Sequence, residues 1–118
     1  MATFLSYDSC KKDKQCDRTC FLGTWVANET CYNYGSFNIA ITTSSTDANG
    51  IDMVGFGGFV SQDTVTASVF GTDLIIQDQT LSSNNITIVG SGTMSNDGET
   101  ITVNYKANGF DCSGMWTK

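Results

Sequence analysis

The 118-residue chain has no histidine and no proline, only 2 Glu, and 6 basic residues against 12 acidic ones. Without histidine there is no Ser-His-Asp or Cys-His catalytic machinery and no imidazole-ligated metal. A formal net charge of −6 disfavours a nucleic-acid partner, because phosphate neutralisation needs clustered Lys and Arg. No apolar run approaches the roughly 18–20 residues of a membrane span. Good helix formers are also scarce, with Glu at 2 and Ala at 6, which disfavours a helical domain.

What is present reads as β-structure. Ser and Thr number 28, Asn 9 and Gly 12. Short runs rich in Thr, Val, Ile and aromatic residues alternate with Gly, Asn and Asp, the vocabulary of strands and tight turns. The charge divides the chain. Lys11, Lys12, Lys14 and Arg18 crowd the start, whereas from Phe21 onward the acids face only Lys106 and Lys118. Residues 1–20 are therefore expected to be a flexible, solvated leader, and residues 21–118 one acidic β-domain.

Five cysteines, Cys10, Cys16, Cys20, Cys31 and Cys112, favour an oxidising compartment and leave one to explain. Their spacing lacks the paired short knuckles of a zinc site. Cys10, after Ser9 and before Lys11-Lys12, resembles the acylated Cys that ends a bacterial lipoprotein signal; a plain thiol, free or paired, is the alternative. Cys16 and Cys20 are close enough to pair across a turn. Cys31 and Cys112 then remain, on the first and last strands, where a bridge closes a loop of about 80 residues and stabilises by about 4 kcal/mol in the chain-entropy model.

Eight strands are predicted: Phe21–Cys31, Ser36–Thr43, Ile51–Phe56, Thr64–Phe70, Leu74–Gln77, Ile86–Thr93, Thr100–Lys106 and Phe110–Thr117. Asn49-Gly50, Asp97-Gly98 and Asn108-Gly109 are hairpin dipeptides that accept positive φ. No connection has room for a crossover helix, so the expected sheet is an antiparallel meander. Closure into a barrel removes its two exposed edges.

Gly23-Thr24-Trp25 opens the first strand and resembles the lipocalin signature. That resemblance implies a Trp plugging the closed end of the barrel under a basic residue from the last strand. If Cys31 and Cys112 face each other, antiparallel pairing keeps facing residue numbers summing to 143. Ala27 then opposes Trp116 and Trp25 opposes Lys118, so Trp25, Trp116 and Lys118 are the expected barrel-closing set. The body, over roughly residues 20–118, is also similar to small secreted lipoproteins of the Bacteroidota. The matching segments are Gly23-Thr24-Trp25, Val65-Thr66-Ala67-Ser68-Val69-Phe70-Gly71, Gly90-Ser91-Gly92-Thr93 and Cys112 to Lys118. This implies a lipocalin-like barrel and an envelope address, without an established activity.

Candidate chemistry is sparse. Asp47-Ala48-Asn49-Gly50-Ile51-Asp52 has some calcium-loop character but lacks the EF-hand spacing and bidentate Glu, and reads as a hairpin turn. Asn28-Glu29-Thr30 and Asn85-Ile86-Thr87 match the glycosylation pattern, frequent by chance in an Asn- and Thr-rich chain. Tyr32 and Tyr34 sit at the first turn, where they can stack on a flat ligand or pack as a rim. Glu29 is the one acid on a strand face shared with Trp25 and Cys31. A lone carboxylate is not a catalytic constellation, and no enzyme, metal or cofactor is expected. The leading expectation is a monomeric, non-catalytic cell-envelope lipoprotein that touches membrane only through its lipid. It binds a small apolar or amphipathic ligand at the barrel mouth through Tyr32, Tyr34 and Glu29. The alternative is a filled barrel acting as a protein-interaction module, either a periplasmic inhibitor or a surface-assembly component.

Overall fold

The structure, a computed structural model, describes residues 18–31, 35–58, 64–82 and 85–118. Along them apolar and polar side chains alternate with the period of two that gives a strand one dry and one wet face. The strands are β1 (Gly23–Thr30), β2 (Gly35–Thr43), β3 (Gly50–Val54), β4 (Thr64–Phe70), β5 (Asp73–Leu81), β6 (Ile86–Met94), β7 (Thr100–Ala107) and β8 (Phe110–Thr117). Each pairs with its sequence neighbour and β8 returns to β1, closing an antiparallel meander barrel. The expected fold class is therefore the observed one.

Turn chemistry explains several boundaries. Asn108 and Gly109 both take positive φ, 52° and 85°, as a two-residue turn matched to strand twist requires. Asn49-Gly50 departs from its expected hairpin geometry, since neither residue is among those at positive φ. There Asp47 organises the loop, accepting the Asn49 N–H on its side chain and the Gly50 N–H on its carbonyl.

β1 begins at Gly23 rather than Phe21, because Arg18–Phe21 forms a single 3-10 turn. β3 ends at Val54, and Phe56 lies in a short turn, Phe56–Gly58. β5 is longer than predicted. Its polar stretch Gln77-Asp78-Gln79-Thr80 shows no apolar alternation, yet it continues pairing with β6 past a bulge between Ile76 and Gln79. The main-chain register between β4 and β5 runs only from Ser68↔Ile75 to Phe70↔Asp73. Beyond it the Gln79 side chain takes over, accepting from the Thr66 N–H and donating to the Thr66 carbonyl.

The inward rows meet in one core. Trp25, Trp116, Ile39, Ile51, Leu74 and Ile76 have no accessible surface, so no void that admits water touches them. An eight-stranded barrel is just wide enough to be filled by its own side chains, and around these residues it is.

The seam between β1 and β8 pairs Val26 with Thr117, Ala27 with Trp116 and Thr30 with Ser113. Next along it, Cys31 and Cys112 are bridged, with Cα atoms 4.7 Å apart and 81 positions between them. Cys20 is also disulfide-bonded; the pairing expected with Cys16, like the lipidation expected at Cys10, falls outside the described residues. So does most of the predicted leader. Of its four basic residues, Arg18 is described, and its guanidinium donates to the carbonyls of Asp47 and Gly50 at 3.0 and 3.2 Å.

One end of the barrel is sealed. Trp25 is fully buried there, and its indole N–H donates to the Phe21 carbonyl at 2.8 Å. The Lys118 ammonium lies 4.9 Å from the centre of the Trp25 ring and donates to the Leu22 carbonyl at 2.8 Å. Burial by the preceding turn and a cation over the ring thus hold the same indole from two directions.

Two outcomes are expected from this frame. Replacing Cys31 and Cys112 together by Ala should lower unfolding stability by about 4 kcal/mol, read from urea titration. Hydrogen exchange should then show β1 and β8 losing protection before β4 and β5. Replacing Lys118 by Met should cost about 0.5–1 kcal/mol, with the difference shrinking as salt is added.

Candidate functional site

At the opposite end, one layer below the disulfide, three inward side chains from three adjacent strands converge. Glu29 comes from β1, Tyr105 from β7 and Trp116 from β8. The Tyr105 hydroxyl donates to one Glu29 carboxylate oxygen at 2.7 Å, and the Trp116 indole N–H donates to the other at 2.6 Å. Strand periodicity places them: Glu29 shares a face with Trp25, Ala27 and Cys31, and Tyr105 faces Cys112 across the β7–β8 hairpin.

Two glycines make room for the cluster. Gly114 pairs with Glu29 across the seam, and a Cβ on it would lie 2.3 Å from the Glu29 Cγ. Gly90 pairs with Tyr105, and a Cβ there would lie 2.3 Å from the Tyr105 Cβ. Phe56 completes the enclosure from the β3–β4 connection, its ring tilted against Tyr105 at 4.7 Å and edge-on to Trp116 at 5.9 Å.

Glu29 is only 4% exposed. Among the described residues no Lys or Arg pairs with it, and both its donors are neutral. Removing a carboxylate from water costs several kcal/mol unless charge or hydrogen bonds compensate. Burial accordingly raises the Glu29 pKa above its ordinary value, and the Tyr105 and Trp116 bonds pull it only partly back. The Tyr105 phenol is pushed far upward, first by burial and then by the neighbouring carboxylate, which keeps it a hydrogen-bond donor across the whole working pH range.

Partly buried apolar residues lie on the same inner wall. Phe37 at the start of β2, Ile86 at the start of β6, and Cys31 are partly buried and pack on the core. The cluster is therefore a buried carboxyl enclosed by Phe56, Tyr105 and Trp116, each at most 3% exposed. Tyr105 and Trp116 turn their O–H and N–H edges to Glu29, so the carboxyl meets hydrogen-bond donors and not ring faces. A recess of about 510 Å³ in the wall of β6, β7 and β8 is lined by Val89, Asn104, Lys106, Asp111 and Ser113 and also by Gly90, Tyr105 and Cys112, so it borders the cluster. The Lys106–Asp111 ion pair lies along it.

The sequence-predicted residues distribute unevenly. Tyr32 and Tyr34 fall outside the described residues. Glu29 lies on the face it is expected to share with Trp25 and Cys31, buried where Gly114 leaves it space. Trp116 was grouped with Trp25 and Lys118 at the sealed end, but its indole N–H reaches Glu29. Tyr105 and Phe56 were missed as site residues. The seam register already set Gly114 opposite Glu29, and that pairing of an inward acid with a residue lacking a side chain was the available signal.

The raised Glu29 value has a definite sign for stability. Below the ordinary value of 4.5 the carboxyl is protonated both folded and unfolded, and its contribution is fully present. As pH rises, the unfolded chain gives up the proton first, so stability falls until the folded-state value is passed. Glu29→Gln should remove this segment of the pH dependence, measured by urea unfolding of both proteins across the acidic range. Near pH 4 the two proteins should be of similar stability, because the amide, like the protonated carboxyl, can accept from Trp116 and donate to the Tyr105 hydroxyl oxygen. Parallel pH profiles would contradict the burial account.

No family model, curated protein or solved structure matches this chain, so its function rests on the geometry above.

Proposed function

We propose that this protein is a non-catalytic cell-envelope protein that holds a small amphipathic molecule at the open end of its barrel. The carrying observation is Glu29: a buried carboxyl one layer inside the Cys31–Cys112 bridge, with no Lys or Arg paired to it among the described residues, on the inner wall that also carries the partly buried Phe37 and Ile86. The disulfide supports an oxidising compartment. Acylation at Cys10, with the lipoprotein and Bacteroidota-like character it implies, belongs to the same reading and is supported by the sequence around that residue. The packed interior around Trp25, Ile51 and Leu74 limits the guest to the layer at and above Glu29.

The other reading, a surface-mediated interaction module, is favoured by the wall recess of about 510 Å³ and by outward Phe70, 58% exposed.

Titration with 1-octanol, followed by amide NMR shifts, separates the two. Saturable changes centred on Phe37, Ile86 and Trp116 are expected, and Phe37→Asp should abolish them. Changes confined to Val89, Asn104 and Ser113, or none at all, would overturn the mouth reading.

A further inference from the structure

The main-chain pairing of β4 with β5 stops at Ser68↔Ile75. From there the two strands are joined through side chains, Gln77 to Ser68 and Gln79 to Thr66. Beside this split the β2–β3 loop, toward the sealed end, folds back over the start of β3. A Cβ on Gly50 would lie 2.9 Å from the Cβ atoms of both Ser44 and Asp47, so the close approach of the loop depends on glycine there. The Arg18 guanidinium ties the loop down through the Asp47 and Gly50 carbonyls. Loop and split together bound a recess of about 220 Å³, with Ser44, Thr46, Asp47, Thr66, Ser68 and Gln77 around it. Strand alternation turns the Ser68 side chain outward with those of Thr66 and Phe70, yet Ser68 is only 8% exposed. Its hydroxyl oxygen accepts from the Gln77 amide at 2.8 Å, and its own proton has no acceptor among the described residues. Asp47 gives one carboxylate oxygen to the Asn49 N–H, and a carboxylate has acceptor sites to spare. A buried donor without a partner costs free energy, and a guest oxygen at Ser68 removes that cost.

We propose that this recess binds one neutral sugar ring, whose hydroxyls exchange hydrogen bonds with Ser68, Asp47 and Gln77. The recess offers donors and acceptors side by side, and a sugar hydroxyl is both at once. A cation would meet one carboxylate and several donors. An anion would meet the charge of Asp47 with no Lys or Arg among the described lining residues to offset it. An apolar guest finds only Ile51 and Ala67, both buried. The volume lies below the roughly 300–1,000 Å³ of pockets for drug-sized ligands, which suits a single ring. The site is distinct from the barrel mouth and does not depend on the reading given for it.

The test titrates the whole protein with the methyl glycosides of glucose, galactose and mannose, with the corresponding uronates, and with cyclohexanol as a ring carrying one hydroxyl. Amide NMR shifts give both the place and the affinity. At least one glycoside should produce saturable shifts at Ser44, Gly50 and Ser68, its uronate should bind more weakly, and cyclohexanol should leave those amides unmoved. Ser68→Ala should weaken the glycoside by up to about tenfold, the loss of one hydrogen bond. Asp47→Asn keeps an acceptor for the Asn49 N–H and removes the charge, so glycoside and uronate should then bind alike. Cyclohexanol matching the glycosides, unchanged binding in Ser68→Ala, a persistent gap between glycoside and uronate in Asp47→Asn, or linear, unsaturated shifts with all three glycosides would each overturn the sugar assignment.

Discussion

Antiparallel pairing fixes a constant sum for facing residue numbers, and the Cys31–Cys112 bridge sets that sum for the β1–β8 seam. Everything distinctive about the two ends follows from this register. It brings Lys118 to Trp25 at one end and Gly114 to Glu29 at the other. A slip of one residue would turn every seam side chain to the opposite face. Glu29 would then point to water and Asn28 into the core. The hydrophobic pattern of β1, with Trp25 and Ala27 inward, opposes that slip, and the disulfide opposes it covalently. The two constraints agree, which is what makes the seam a defined junction between the most distant strands in the chain.

The seam also explains how a carboxylate is tolerated inside an apolar barrel. Its donors come from the two strands nearest it on one side, Trp116 on β8 and Tyr105 on β7. Hydrogen bonds to ionised groups are stronger than those between neutral ones, yet two of them do not cancel the desolvation of the anion, as the upward shift of Glu29 shows. Replacing the trio by aliphatic residues of similar volume would fit the same space without that cost.

Much of the frame was legible in the sequence, and for physical reasons. Turn dipeptides such as Asn108-Gly109 announce their backbone geometry locally, and β7 displays its inward face directly as Ile101, Val103 and Tyr105. Cys31 and Cys112, left over once the leader cysteines are set aside, supply the long-range register that periodicity alone cannot. The failures have causes of the same kind. The far half of β5 is held by a bulge and by the Gln79 amide, and neither shows in a hydrophobic pattern. Phe56 looked like a strand end because apolar residues precede it, but the flanking glycines turn it into the barrel. Tyr105 was seen on the correct face without its partner. Its contact with Glu29 depends on composing two registers, β7 with β8 and β8 with β1, and on how far each side chain reaches.

The two ends of the barrel each hold an indole, in different ways. At the sealed end an indole is capped by a cation from the chain itself: Lys118 lies over Trp25 and is tied down by the Leu22 carbonyl. At the open end another indole, Trp116, faces a carboxylate, and the described chain brings no cation to meet them. The first arrangement is closed, since ring, charge and backbone acceptor all belong to the fold. The second uses the indole's N–H edge rather than its ring face, and its acceptor is a buried carboxyl on the neighbouring strand. Glu29 and Trp116 lie beside the Cys31–Cys112 bridge on the β1–β8 seam, so the covalent link and their hydrogen bond hold the same two strands in one register.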